Sequence, residues 1–165
     1  KELFSFESVG CKDWLTNKVD RCVGGKVAKQ QCVGELQLPL NNCGVMALDY
    51  STSNGIATSI GHSPISALID PIAGSKNSIA EALTNIIWAP LQNGIKGVSL
   101  SANWMWPCKN LGEDARLYEA VKSVSKFAIE LGINIPTGKD SLSMNQKYDN
   151  ILRIFKKNVL EYCNS

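Results

Sequence analysis

The sequence predicts an α+β fold: a small mixed β-sheet with helices packed on one face, in the manner of an α/β sandwich. Two segments, Pro71–Trp88 and Glu113–Leu131, repeat their apolar residues at three- and four-residue spacing, the period of an amphipathic helix. Short apolar runs of strand length flank them, at Cys43–Tyr50, Ile56–Gly61, Val98–Trp104 and Ile133–Thr137. The order strand, strand, helix, strand, helix, strand then argues for helices layered on one sheet.

Taken in order, residues 1–10 show no period and read as a leading segment. Asp13–Lys18 has the length of a short helix with Asp13 as its cap. Asp20 to Pro39 is punctuated by Gly24, Gly25 and Gly34 and reads as loop with short extended pieces. Cys43–Tyr50 and Ile56–Gly61 form a hairpin, because Ser51 to Gly55 supply turn residues between them. In the first helix Pro71 sits at the first turn, and Ile72, Ile79, Ala80, Leu83, Ile86 and Ile87 make the apolar stripe until Pro90 ends it. In the second, Leu117, Val121, Val124 and Ala128 recur, and Gly132 caps the end. Gly138–Ser141 reads as a loop between apparent strands. The tail, 149–165, places Ile151, Leu152, Phe155, Val159 and Tyr162 on one helical face and is predicted to be a packing helix. The resulting division is a leading segment 1–19, a subdomain 20–148 and a helical tail 149–165.

Composition narrows the function. With 165 residues, 44% hydrophobic and 19% charged, the chain suits a soluble globular domain with one core. The formal charge is only +2, and the nearest basic cluster, Arg153, Lys156 and Lys157, reads as a solvated helix face, so nucleic acid is not an expected partner. No apolar run reaches the roughly 18 to 20 residues that cross a bilayer, and Lys1–Ser8 lacks the apolar core of a signal peptide. The first residue is Lys and not Met, which hints at a chain cut from something longer. Six cysteines, at 11, 22, 32, 43, 108 and 163, show no close metal-ligand pair, and the chain is large enough to do without a disulfide framework. Mostly buried thiols in a reducing compartment are the expectation.

Few residues offer chemistry. Glu81 and Asn85 stand four apart on the first helix, so one carboxylate and one amide oxygen share a face and could reach a hard cation such as Mg²⁺. The same pair also fits a solvent-facing polar stripe. In Gly138-Lys139-Asp140-Ser141, Gly permits close backbone approach, Lys139 can meet a phosphate, and Asp140 or Ser141 can hold a metal or hydroxyl, although an exposed turn explains them equally. The G-x-x-x-x-G-K-[ST] phosphate loop is absent. His62, the single histidine, has no nucleophile-elbow motif beside it and reads as structural or exposed.

A resemblance carries the reading further. Asp20-Arg-Cys-Val-Gly-Gly25, Val27 to Gly34, Gln37-Leu-Pro39, Ser59-Ile-Gly61, Leu68-Ile-Asp-Pro71, Glu81-Ala-Leu-Thr-Asn85, Ser101-Ala-Asn-Trp-Met-Trp106, Gly112-Glu113 and Gly138-Lys-Asp-Ser-Leu-Ser-Met144 occur in the order in which they stand in phosphoribosylformylglycinamidine synthases. Over roughly residues 12 to 148 the chain resembles that family. Selenophosphate synthetases and thiamine-phosphate kinases, of the same architecture, lack the Asp-Arg-x-Val-Gly-Gly and Asn-Trp-Met-Trp contexts.

The resemblance implies a cytoplasmic ATP- and glutamine-dependent ligase that converts formylglycinamide ribonucleotide to formylglycinamidine ribonucleotide. In such enzymes the substrate amide oxygen is activated by phosphorylation and displaced by ammonia from a glutaminase domain. The synthetase portion has two halves, each like aminoimidazole ribonucleotide synthetase, and this chain looks like the N-terminal subdomain of the second. It implies Mg²⁺ and ATP or ADP as cofactors, with Glu81 and Asn85 on metal-ligand positions, Asn42 where the family has an Asp ligand, and Asn41 on the adjoining nucleotide contact. Lys139, Asp140 and Ser141 are assigned to the nucleotide. Cys22 departs from the usual Ser or Thr, and Cys43 follows the altered Asn42. Expected partners are the nucleotide, the remaining subdomains and the glutaminase, with self-association through the sheet when those are absent. The isolated chain, a fragment on this reading, is expected not to turn over.

Overall fold

The computed structural model describes residues 1–13, 15, 19–28, 30, 35–36, 42–148, 151–154 and 157–162. After a short helix α1 (Glu7–Gly10), the order is β1 (Cys43–Ala47), β2 (Gly55–His62), α2 (Pro64–Ile69), α3 (Pro71–Ile86), β3 (Ser99–Met105), α4 (Glu113–Leu131), β4 (Asn134–Ser141), β5 (Asn145–Tyr148), β6 (Ile151–Ile154) and β7 (Lys157–Tyr162). Five strands make the main sheet in the order β1-β2-β7-β3-β4, and β5 and β6 pair separately. β3 and β4 run parallel, whereas β1–β2, β2–β7 and β7–β3 are antiparallel. The sheet is therefore mixed, as predicted.

Alternation along β2 decides which face the helices cover. Ala57, Ser59 and Gly61 are buried while Ile60 and His62 are exposed. The Ser59 hydroxyl donates to the Ala82 carbonyl of α3 at 2.8 Å. A Cβ on Gly61 would overlap the Ser78 carbonyl oxygen and the Ala82 nitrogen, so only glycine lets α3 lie this close to the strand. The core between the layers joins Ala57 with Ile79, Ala82, Leu83 and Ile86 of α3, Leu100 and Ala102 of β3, and Val124 of α4. Both long helices thus pack on one face.

Local signals account for the helix ends. The Asp70 carboxylate accepts the Ile72 and Ala73 N–H groups and Pro71 occupies the first turn, so α3 begins where the sequence indicates. α4 ends at Gly132 with φ of 70°, a left-handed cap that returns its N–H to the last turn.

Four expectations change. The tail is not helical: 151–154 and 157–162 are strands, and β7 is the central strand of the main sheet, between β2 and β3. Gly138–Ser141 is not a loop but the end of β4, in parallel register with Ala102–Met105. A short helix, α2, which periodicity did not indicate, precedes α3. Of the short helix expected at 13–18, Trp14 and 16–18 lie outside the described residues. The described cysteines form no disulfide, but Cys11 is exposed and Cys43 and Cys108 are only half-buried, less covered than expected.

Candidate functional site

Since β2 and β3 are each antiparallel to β7, and β4 is parallel to β3, the strands β2, β3 and β4 all finish at one edge of the sheet. β1, antiparallel to β2, begins there. Asn42, His62, Met105 and Ser141 consequently share that edge. Both groups of candidate residues lie along it, on opposite flanks. Three strand spacings separate β2 from β4, roughly 14 Å at about 4.8 Å each.

On the β2 flank, the Ile60 N–H donates to the Asn42 carbonyl at 2.9 Å, just ahead of β1. Beyond that bond α3 takes over. The Asn85 amide nitrogen donates to the Ile60 carbonyl at 2.8 Å, and the His62 N–H donates to Glu81 Oε2 at 3.0 Å. Glu81 Oε1 lies 3.9 Å from His62 Nδ1. Glu81 and Asn85 are half-buried and anchored to β2. His62, exposed as expected, is drawn into the cluster through its backbone and ring. The Asn42 backbone carbonyl and the Glu81 and Asn85 side chains therefore meet β2 at Ile60 and His62. Asn41 lies outside the described residues.

The donor set suits a hard cation in part. A carboxylate and amide oxygens are the ligands Mg²⁺ prefers, and the committed Asn85 nitrogen leaves its amide oxygen on the other branch. Only one of the three side chains carries charge. Among the described residues, no group of three or more His, Cys, Asp or Glu is placed to hold a metal.

The β4 flank is looser. Strand alternation sends neighbouring side chains to opposite faces, which divides the predicted trio. Lys139 pairs in register with Asn103 and donates to the Ser141 hydroxyl, while Asp140 pairs with Trp104 on the other face. Lys139 and Asp140 are exposed. An open groove of about 310 Å³ runs here, lined by Trp104, Leu117, Val121, Gly138 and Leu142 with Lys139 and Asp140. Beside it the Cys108 thiol is pushed above its usual pKa by burial, then by the negative charges of Asp114, Glu113 and Asp140.

A two-layer α+β fold with its candidate ligands gathered along one sheet edge defines the class. The chain belongs to the FGAR-AT PurM_N-like domain family, which it matches over residues 11–160, a span that takes in most of the tail. It is similar to phosphoribosylformylglycinamidine synthase of Drosophila melanogaster, 46% identical over 147 residues, covering 89% of this chain and 11% of that protein. In fold it is similar to the PurLQS structure from Thermotoga maritima, with a TM-score of 0.65, 14% identity, and coverage of 93% of this chain and 23% of that one. The T. maritima PurL structure complexed with ADP gives 0.61, 16%, 91% and 23%. The chain spans about a tenth of the length of the curated relatives it matches. Its fold is PurM N-terminal-like.

Proposed function

We propose that this domain supplies one wall of a Mg²⁺–nucleotide site in a glutamine-dependent ligase making formylglycinamidine ribonucleotide for purine synthesis. One observation carries the reading: Asn42, Glu81 and Asn85, the positions the family resemblance assigns to the metal, converge on the outgoing end of β2. A PurL structure complexed with ADP shares the fold, which supports a nucleotide as the ligand. When bound, Mg²⁺ would neutralise phosphate charge; Glu81 would supply the anionic oxygen, with Asn42 and Asn85 as neutral ones. Lys139 and Ser141, joined on one face of β4, are assigned to phosphate, and Asp140 to the groove side of the same ligand.

The single carboxylate in this set favours a nucleotide held as a structural element over one that is consumed. Substitution of the family Asp by Asn42 lowers the site's attraction for the cation. Phosphoryl transfer and ammonia supply then fall to the remaining subdomains and the glutaminase, and this chain alone turns nothing over. Met46 and Ile60, 43% and 39% exposed on the face away from the helices, suit the sheet-to-sheet pairing expected of a partner subdomain. Among the described residues no helix is long and apolar enough to cross a membrane, and we assign the protein to the cytosol on the purine-synthetic reading.

Calorimetry with Mg-ADP tests the site. Glu81→Ala is expected to abolish magnesium-dependent binding, and Asn42→Asp to tighten it by about tenfold, the worth of one charge-assisted ligand. No response to either substitution removes the assignment. Product formation by this chain alone from formylglycinamide ribonucleotide, ATP and ammonia overturns the division of labour.

A further inference from the structure

The geometry points to Asn85 as an amide lock: its nitrogen closes off the Ile60 carbonyl of β2 and thereby fixes its oxygen toward the cation site, so that backbone closure and cation binding are one device. The inference rests on the magnesium reading of Asn42, Glu81 and Asn85 given above and adds how the oxygens are aimed.

The orientation follows from the partner. Asn85 meets the Ile60 carbonyl at 2.8 Å, and a carbonyl only accepts, so the amide nitrogen must face it and the oxygen must lie on the other branch. The place of that bond explains why it matters. Residue 60 turns its N–H toward the chain entering β1 and bonds the Asn42 carbonyl. Alternation turns the His62 N–H the same way, past the start of β1 at Cys43. In this structure the partners of the Ile60 carbonyl and the His62 N–H come from α3. Asn85 and Glu81 take these two backbone groups of β2, one donating and one accepting. An aspartate at 85 would carry more charge for a cation, but its oxygen would face the Ile60 oxygen. The amide is the side chain of this length that satisfies both duties.

The test separates charge from closure. Hydrogen exchange at the Ile60 and His62 amides of the 165-residue chain, corrected for intrinsic rates, is measured without cation and with Mg-ADP. Asn85→Asp is expected to speed cation-free exchange at these amides by about three- to tenfold, the range of one net hydrogen bond, and to weaken Mg-ADP binding despite the added charge. Glu81→Gln keeps an acceptor oxygen for the His62 N–H, so it is expected to leave cation-free exchange near the wild-type rate while losing the protection given by Mg-ADP. Unchanged cation-free exchange in Asn85→Asp, or tighter Mg-ADP binding by it, overturns the lock. Should Asn85→Asp not fold, Glu81→Gln carries the test: faster cation-free exchange in it, or protection by Mg-ADP equal to wild type, overturns the separation of the two duties. If wild type gains no protection from Mg-ADP while Asn85→Asp still speeds exchange at these amides, the closure stands and the magnesium reading falls.

Discussion

Two flanks of one sheet edge hold the candidate residues, and they are built differently. At β2 three polar side chains are tied to backbone: Asn85 to Ile60, Glu81 to His62, Ser59 to Ala82. At the end of β4, Lys139 is tied among the described residues only to its neighbour Ser141, and Asp140 faces an open groove. The first flank is rigid because strand and helix meet almost without side chains between them, through Gly61. The second leaves room, because α4 stands off β4 and the groove separates them. A rigid flank can aim oxygens at an ion that tolerates little error, and a roomy one can admit a larger group.

The largest expected effect breaks the comparison at its glycines. Gly61→Ala places a methyl on the Ser78 carbonyl and the Ala82 nitrogen, both backbone atoms that cannot swing away. It should cost about 3 kcal/mol, the upper end for overpacking, and lower the thermal midpoint. Gly138→Ala places its methyl 3.4 Å from the Ala102 carbonyl oxygen, an ordinary contact, and should cost less than about 1 kcal/mol. Equal losses in the two variants would mean that the flanks are equally tight.

The serines repeat the contrast on a smaller scale. Ser59→Ala removes a buried hydrogen bond and should cost about 1 kcal/mol in denaturant unfolding. Ser141→Ala removes only a partner of exposed Lys139 and should fall within about 0.5 kcal/mol of wild type.

How much of this was legible in the sequence follows the same divide between local and distant causes. α3 and α4 were readable because their periods, the Asp70–Pro71 start and the Gly132 stop all lie within a few residues of what they control. The hairpin was readable from its turn. β7 was not, because Val159 and Tyr162 fit a helical stripe and a strand equally, and the partners that decide, β2 and β3, lie far away in sequence. Gly138–Ser141 has turn composition, yet pairing with β3 overrides it. At the site, the four-residue spacing of Glu81 and Asn85 was visible, whereas their bonds to His62 and Ile60 span 19 and 25 residues and leave no local trace.

A titration tests whether these differences belong to the site edge alone. Asp49, in the turn at the far end of the β1–β2 hairpin, accepts the Thr52 and Ser51 N–H groups and the Thr52 hydroxyl, which hold its carboxyl below the usual pKa. A depressed carboxyl stabilises the fold fully above the ordinary Asp value and loses that contribution as pH falls through the folded value. The Ser51 and Thr52 amide shifts should therefore move with a midpoint below the ordinary Asp range, and Asp49→Asn should abolish the movement. The Ile60 and His62 amides should not follow that midpoint.

The smallest effect tests the division of Lys139 from Asp140. The Cys108 thiol is raised by burial first, then by Asp114, Glu113 and last by Asp140, so it should alkylate more slowly than exposed Cys11 at pH 8. Removing the weakest of these causes, by Asp140→Asn, lowers the thiol pKa slightly and should speed alkylation by less than about twofold. Lys139→Ala should move the rate less than Asp140→Asn does, because strand alternation turns that side chain away from Asp140, paired in register with Asn103. A loop gathering Gly138–Ser141 around one ligand would put both charges near the thiol, and the two substitutions would then shift the rate in opposite directions by similar amounts. A rate that moves more with Asp140 than with Lys139 separates strand from loop without any ligand present.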